Sequence, residues 1–198
     1  MLSLCIDTAY KYLSCALIKD NEILSQVSLS CFKKQSEELF IVLKQVFDEA
    51  QLNPKDIDSI CISEGPGSYT GTRIAMTLAK TMGVTLPCDV YTISTLRLYA
   101  AGNPDTMVIM NARADRAYVG VYSNNDVIVD DCVLEVSEID PANYNIVGDG
   151  ALIGKEELYP NIAEAFLNTK PAWKKVENIN FLVPKYLKES ESYLKWSS

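Results

Sequence analysis

Apolar residues run in short, nearly unbroken stretches over the first thirty positions and then switch to a helical period. Leu2 to Thr8 reads as a buried first strand. Leu13 to Lys19 and Glu22 to Ser30 flank Asp20-Asn21, a two-residue polar turn of the hairpin kind. Between residues 33 and 50, Leu39, Val42, Leu43, Val46, Phe47 and Ala50 form one helical stripe, which Phe40 widens. Asn53-Pro54 ends that helix. Ile57 to Ser63 reads as a second buried strand, followed by a glycine-rich turn and a helix from about Thr70 to Leu86.

The stripe is broader than burial against one sheet usually needs. The next helix carries Ala75, Ala79 and Gly83 at four-residue spacing, with Ile74, Leu78 and Met82 beside them. Small residues so spaced suit close packing on the sheet or against a helix of another subunit. The expected partner interface is therefore Leu39, Val42, Leu43, Val46, Ala75, Leu78, Ala79 and Met82, and the free chain is expected to self-associate there.

Beyond Leu86 the pattern restarts. Shifted by 104 residues, Ile6-Asp7-Thr8 falls on Met110-Asn111-Ala112, Leu13–Ile18 on Ala117–Tyr122, and Ile23–Leu29 on Val127–Val133. Strand, polar end, hairpin and turn match in order without a gap. A duplicated α/β chain follows, with a first lobe over 1–100 and a shortened second over 101–198 whose last segment packs back on the first. A ligand cleft is expected between them.

Hydrophobic residues make up 48% and charged residues 22%, ordinary for a globular chain, with a formal charge of -8. Phosphate-backbone binding needs clustered cations. Lys33-Lys34 and Lys174-Lys175 are isolated pairs, so direct nucleic-acid binding by the chain alone is not expected. No basic segment precedes a long apolar run, and no stretch approaches the ~18 apolar residues of a membrane span, so neither signal peptide nor membrane is expected. Six scattered cysteines, mostly among apolar neighbours, suit reduced buried thiols and a cytoplasmic location. There is no histidine, which removes the commonest general base and metal ligand. No metal site and no catalytic residue are expected.

Two segments carry candidate chemistry. Asp7-Thr8 ends the first strand, where a carboxylate could face a cleft and hold a magnesium-bound water, or could cap a turn. Gly65-Pro66-Gly67-Ser68-Tyr69-Thr70-Gly71 follows the second. Its glycines permit close approach to a ligand, Ser68 or Thr70 could cap the helix, and the helix start suits an anion. A tight strand-to-helix connection is the plainer reading; the segment is neither a Walker A sequence nor G-x-G-x-x-G. Arg73 lies in the first helical turn, where the dipole disfavours a cation without an acidic or phosphate partner. The candidate nucleotide or anion cleft is thus Asp7, Thr8, Gly65, Gly67, Ser68, Thr70 and Arg73.

Taken in order, Ile6-Asp7-Thr8, Ser36-Glu37, the glycine segment with Arg73, and Ser94-Thr95-Leu96 resemble the TsaB family. So do Asn111-Ala112-Arg113 with Tyr118 and Tyr122, Gly148-Asp149-Gly150 and Pro184-Lys185-Tyr186-Leu187. The resemblance covers nearly the whole chain. It implies a duplicated actin-like fold of the hexokinase and Hsp70 type, in two lobes each with a mixed sheet and flanking helices. It also implies a non-catalytic subunit of bacterial tRNA threonylcarbamoyladenosine biosynthesis. The implied partners are the transferase TsaD, through the first two helices, and the ATPase TsaE. No cofactor is implied for the chain alone, and nucleotide with magnesium only within the complex. The family's Asp-Ala-Arg is Asn111-Ala112-Arg113 here, which removes a carboxylate from the second half. A stand-alone actin-like phosphotransferase or nucleotide-binding protein is the alternative, and Asn111 argues against it. A peptidase would need a base that a histidine-free chain lacks.

Overall fold

The computed structural model describes residues 1–31, 34–141 and 143–187. Lys33, where the expected first helix begins, and the end of the expected second lobe beyond Leu187 lie outside them.

The first sheet is built around β1 (Leu2–Asp7), which pairs antiparallel with β2 (Tyr12–Lys19) and parallel with β4 (Ser59–Ser63). β3 (Glu22–Ser30) closes the hairpin with β2, and β5 (Asp89–Ile93) runs parallel to β4. A two-residue strand, β10 (Lys174–Lys175), completes the order β10-β5-β4-β1-β2-β3. The second sheet has β6 (Thr106–Arg113), β7 (Arg116–Ser123), β8 (Asp126–Glu135) and β9 (Asn145–Gly148) in the order β8-β7-β6-β9.

Both sheets thus share one plan: an antiparallel three-stranded meander whose first strand takes a parallel neighbour. The hairpin ends superpose at the expected shift, since Ile18↔Ile23 and Lys19↔Glu22 become Tyr122↔Val127 and Ser123↔Asp126. Asp20, Asn124 and Asn125 take the left-handed backbone such tight turns require. This is the duplicated actin-like α/β fold. The halves differ after the meander. The first inserts α1 (Gln35–Ala50) before β4, whereas the second, among the described residues, has the short 3₁₀ turn Val136–Glu138 before β9.

Helix α1 has Glu37 and Glu38 in its first turn, where the dipole favours them, and ends at Gln51 in a left-handed cap. Helix α2 (Tyr69–Thr85) is capped by Ser68, whose Oγ accepts from Gly71 N at 3.1 Å. Both helices lie on one face of the first sheet, in a core shared with Leu4, Ile6, Leu13, Leu17 and Ile62. The opposite face carries α3 (Thr95–Ala100) and α4 (Ile162–Asn168), packed with Cys5, Cys61 and Phe166. Beyond α4 the chain returns to the first sheet through β10 and follows α2, with Ile179 against Gly83. Among the described residues, no helix is long and apolar enough to cross a membrane.

The apolar stripe is covered by the chain's own sheet. Leu39, Val42, Leu43, Val46, Ala75, Ala79 and Met82 are buried, and Leu78 half-buried. Ala75 and Ala79 have no exposed surface at all. The small residues bring α2 close to its own sheet, and Gly83 makes room for Ile179 and Val90. The residues expected to form a partner interface therefore hold the helices in place instead. The helical period reports an apolar face but not what covers it. On α1 what remains outside is its flank, Phe40 at 68% and Ile41 at 63% exposure, over a shallow surface shared with Lys44, Gln45, Asp48 and Glu49; on α2 Tyr69 and Val84 are exposed.

Candidate functional site

The carboxyl ends of β1 and β4 bring most of the expected cleft residues together. Asp7 is fully buried. It accepts from Ser63 Oγ at 2.5 Å, Tyr99 OH at 2.9 Å and, two residues on, Ala9 N at 3.0 Å. Burial pushes its carboxyl up from the ordinary value, although all three donors pull it down. Asp7 thus caps the turn after β1 and ties β4 and α3 to it, rather than facing an open cleft.

Thr8 Oγ1 donates to Gly71 O at 2.6 Å and accepts from Ala75 N at 3.3 Å, pinning the first turns of α2 to β1. The glycine segment is shaped by the same closeness. A Cβ at Gly71 would stand 2.1 Å from Thr8 O, and one at Gly67 would stand 2.3 Å from Ala9 O. Gly65 has φ +105, and a Cβ there would meet Lys185 O at 2.6 Å. Ser68 N donates to Ala9 O at 2.7 Å and Gly65 N to Thr95 Oγ1 at 3.1 Å. The glycines admit the chain's own backbone, so the tight-connection reading describes them. Thr70 is exposed on the first turn of α2. Arg73 engages two tyrosines. Its Nε donates to Tyr186 OH at 2.7 Å, and its guanidinium lies 4.2 Å from the Tyr69 ring centroid.

Between the halves stands a cluster that sequence reasoning missed. Asp149, just after β9, accepts from Tyr10 OH, Tyr159 OH and, at 2.8 Å, Asn111 N. Lys11 Nζ lies 2.7 Å from its Oδ1 and donates to Tyr159 OH at 2.6 Å. Burial would raise the Asp149 carboxyl, but Lys11 and the two hydroxyls outweigh it and hold it below its ordinary value. Asn111 Oδ1 accepts from Arg113 N at 2.7 Å, so this side chain shapes its own turn.

A second missed carboxylate is Asp131 on β8, buried among Ser94 Oγ at 2.6 Å, Tyr122 OH and Lys185 Nζ at 2.9 Å. Lys185 N also donates to Glu64 O at 2.7 Å. The segment Pro184-Lys185-Tyr186-Leu187 thereby fastens the glycine turn to the second half. Only the quoted Gly148-Asp149-Gly150 and Pro184–Leu187 motifs signalled either cluster.

A nucleotide with magnesium does not fit these residues as arranged. Asp7 is taken by three internal donors, the glycine spaces by backbone, and Asp149 by four groups of its own chain. Among the described residues, no three cysteine or carboxylate side chains are grouped to hold a metal ion.

A family model described as TsaD, tRNA N6-adenosine threonylcarbamoyltransferase, matches residues 22–164. The TsaB tRNA threonylcarbamoyladenosine biosynthesis protein of Bacillus subtilis is 27% identical, over 99% of this chain and 98% of its own. The protein of the same name from Buchnera aphidicola of Schizaphis graminum is 28% identical, over 85% of this chain and 95% of its own. A Pseudomonas aeruginosa crystal structure, described as similar to peptidase YeaZ, superposes with a TM-score of 0.82 at 22% identity. It covers 94% of this chain and 99% of that one, a likeness that shows the fold.

Proposed function

The chain belongs to the family of TsaD, the tRNA N6-adenosine threonylcarbamoyltransferase, and we propose that it serves tRNA threonylcarbamoyladenosine biosynthesis as the non-catalytic, TsaB-type subunit. Its part is to hold the transferase TsaD in a competent conformation and to give the ATPase TsaE a docking surface on the assembled pair.

The observation that carries this reading is the outer face of α1 and α2. Phe40 and Ile41 stand exposed side by side, although Leu39, Val42, Leu43, Val46 and Phe47 of the same helix are buried. Adjacent exposed apolar side chains of this size mark an association surface. Charge supports the same face. Helix α1 carries Glu37, Glu38, Asp48 and Glu49 against Lys44, whereas α2 carries Arg73 and Lys80 with no carboxylate. An acidic and a basic helix side by side complement a partner built on the same plan, whether TsaD or a second copy.

The residues that would do chemistry in a stand-alone enzyme are engaged within the chain, and histidine is absent from its sequence. At charge -8 the chain alone lacks the cationic surface that releases counterions from tRNA.

The test is sedimentation of the chain mixed with the TsaD subunit of the same cell. The wild type should form a complex, and the double change Phe40→Glu with Ile41→Glu should abolish it while leaving the melting temperature unchanged. Unaltered assembly of the double variant would place the contact elsewhere. No complex with the wild type would overturn the subunit reading.

A further inference from the structure

Tyr69, Arg73 and Tyr186 form an exposed stack that the packing of the chain does not need. Tyr69 and Tyr186 lie 5.5 Å apart with planes 17° from parallel. Arg73 lies over Tyr69 and is oriented by its Nε bond to Tyr186 OH. Yet Tyr69 is 62% and Tyr186 43% exposed. Three large side chains have thus already lost rotamer freedom while still facing solvent. That is the condition in which binding at them costs least. Tyrosine and arginine are also the residue types most enriched at interface hot spots.

Arg73 is held without a counter-charge. Among the described residues no carboxylate pairs with it, and its neighbour in charge on α2 is Lys80. Its Nε is engaged and the residue is exposed, which leaves the two terminal nitrogens as a fork suited to a carboxylate.

We propose that Tyr69, Arg73 and Tyr186 form the charge-reading anchor of the partner interface, taking a carboxylate carried by a helix of the partner subunit. The anchor rests on the subunit reading above and lies on the same helix α2. Protein is favoured over RNA because Phe181 and Val183, in the segment that follows α2, are exposed apolar neighbours, and because the chain as a whole is acidic.

The experiment is titration calorimetry of the full chain against the TsaD subunit of the same cell, at low and physiological salt. Arg73→Ala should raise Kd about 10- to 100-fold and flatten its salt dependence. Arg73→Lys should recover only part of the loss, because it keeps the charge and lacks the fork. Tyr186→Phe should cost less than Arg73→Ala, since the ring stays stacked and only the orienting hydroxyl is lost. Wild-type binding with Arg73→Ala within twofold of it would overturn the anchor and leave the subunit reading intact. Arg73→Ala assembling normally but weakening tRNA binding by the complex would assign the fork to phosphate and overturn it as well. No binding by the wild type would remove both readings.

Discussion

Lys11 Nζ and Asp149 Oδ1 stand 2.7 Å apart across the two halves of the fold. One lies between β1 and β2 of the first sheet, the other just after β9 of the second. Where such folds could open a ligand cleft, this chain closes the gap with its own ion pair and two tyrosine hydroxyls. Asp149→Ala would leave the Tyr10 and Tyr159 hydroxyls without their acceptor and would remove the carboxylate that faces Lys11. Removing one partner of a buried polar cluster costs roughly 2–4 kcal/mol. Denaturant unfolding should show that loss, with Asp149→Asn costing less because an acceptor oxygen remains.

The same cluster sets an acid dependence. Asp149 is held below its ordinary value in the folded chain, so the unfolded chain takes up its proton first as pH falls. Its contribution is complete above the ordinary carboxylate value of 3.8 and is lost as pH falls through the folded value. Asp7 has the opposite sign. Its folded value is raised, so the stability it gives when protonated disappears as pH rises through that value. Unfolding curves from pH 3 to neutrality should show wild type and Asp149→Asn converging toward acid. Asp7→Asn should be close to wild type at neutral pH, where the buried charge is a cost.

Ala79 and Phe40 separate core from surface on neighbouring helices. Ala79→Glu places a charge where there is no exposed surface and should prevent folding or lower stability by several kcal/mol, on the order of the cost of an unpaired buried charge. Phe40→Glu should change stability by less than about 0.5 kcal/mol, as for an exposed position. Circular dichroism melts of the two variants compare them directly.

Gly71→Ala tests the close approach of α2 to β1. The added Cβ would stand 2.1 Å from Thr8 O, a backbone atom that cannot swing aside, and 3.2 Å from Ser68 Cβ. Overpacking of this kind costs about 1–3 kcal/mol or more. Gly154→Ala is a useful contrast, since a Cβ there meets nothing within 4 Å and only its φ of +70 opposes the change. It should lose about 1 kcal/mol, typical of left-handed backbone in an alanine.

The meander and its repeat were legible because strands and tight turns are local. Tyr12–Lys19 and Arg116–Ser123 are 104 positions apart at both ends, and polar turn residues bracket each hairpin. β5 and α3, at five and six residues, are too short to announce themselves by period. The glycine segment was legible as a close approach, but whether ligand or backbone fills the space depends on Thr8, Ala9 and Lys185, which lie far away in sequence. The stripe on α1 misled for a related reason. Its width matched the face offered by β2 and β3 with α2 alongside, and Phe40 fell outside it. The partners of Asp149 and Asp131 could not be read, since each draws them from both halves; Asp149 showed only as part of the Gly148-Asp149-Gly150 motif.

The central claim is that this chain is required for the modification without performing it. The most direct measurement is mass spectrometry of nucleosides from tRNA incubated with a threonylcarbamoyl donor, ATP and purified subunits. With TsaD and TsaE present, adding this chain should switch on formation of threonylcarbamoyladenosine, and the Phe40→Glu, Ile41→Glu variant should not. The chain alone should give none. Modified nucleoside made by this chain without TsaD, or full activity of TsaD and TsaE without the chain, would contradict the account.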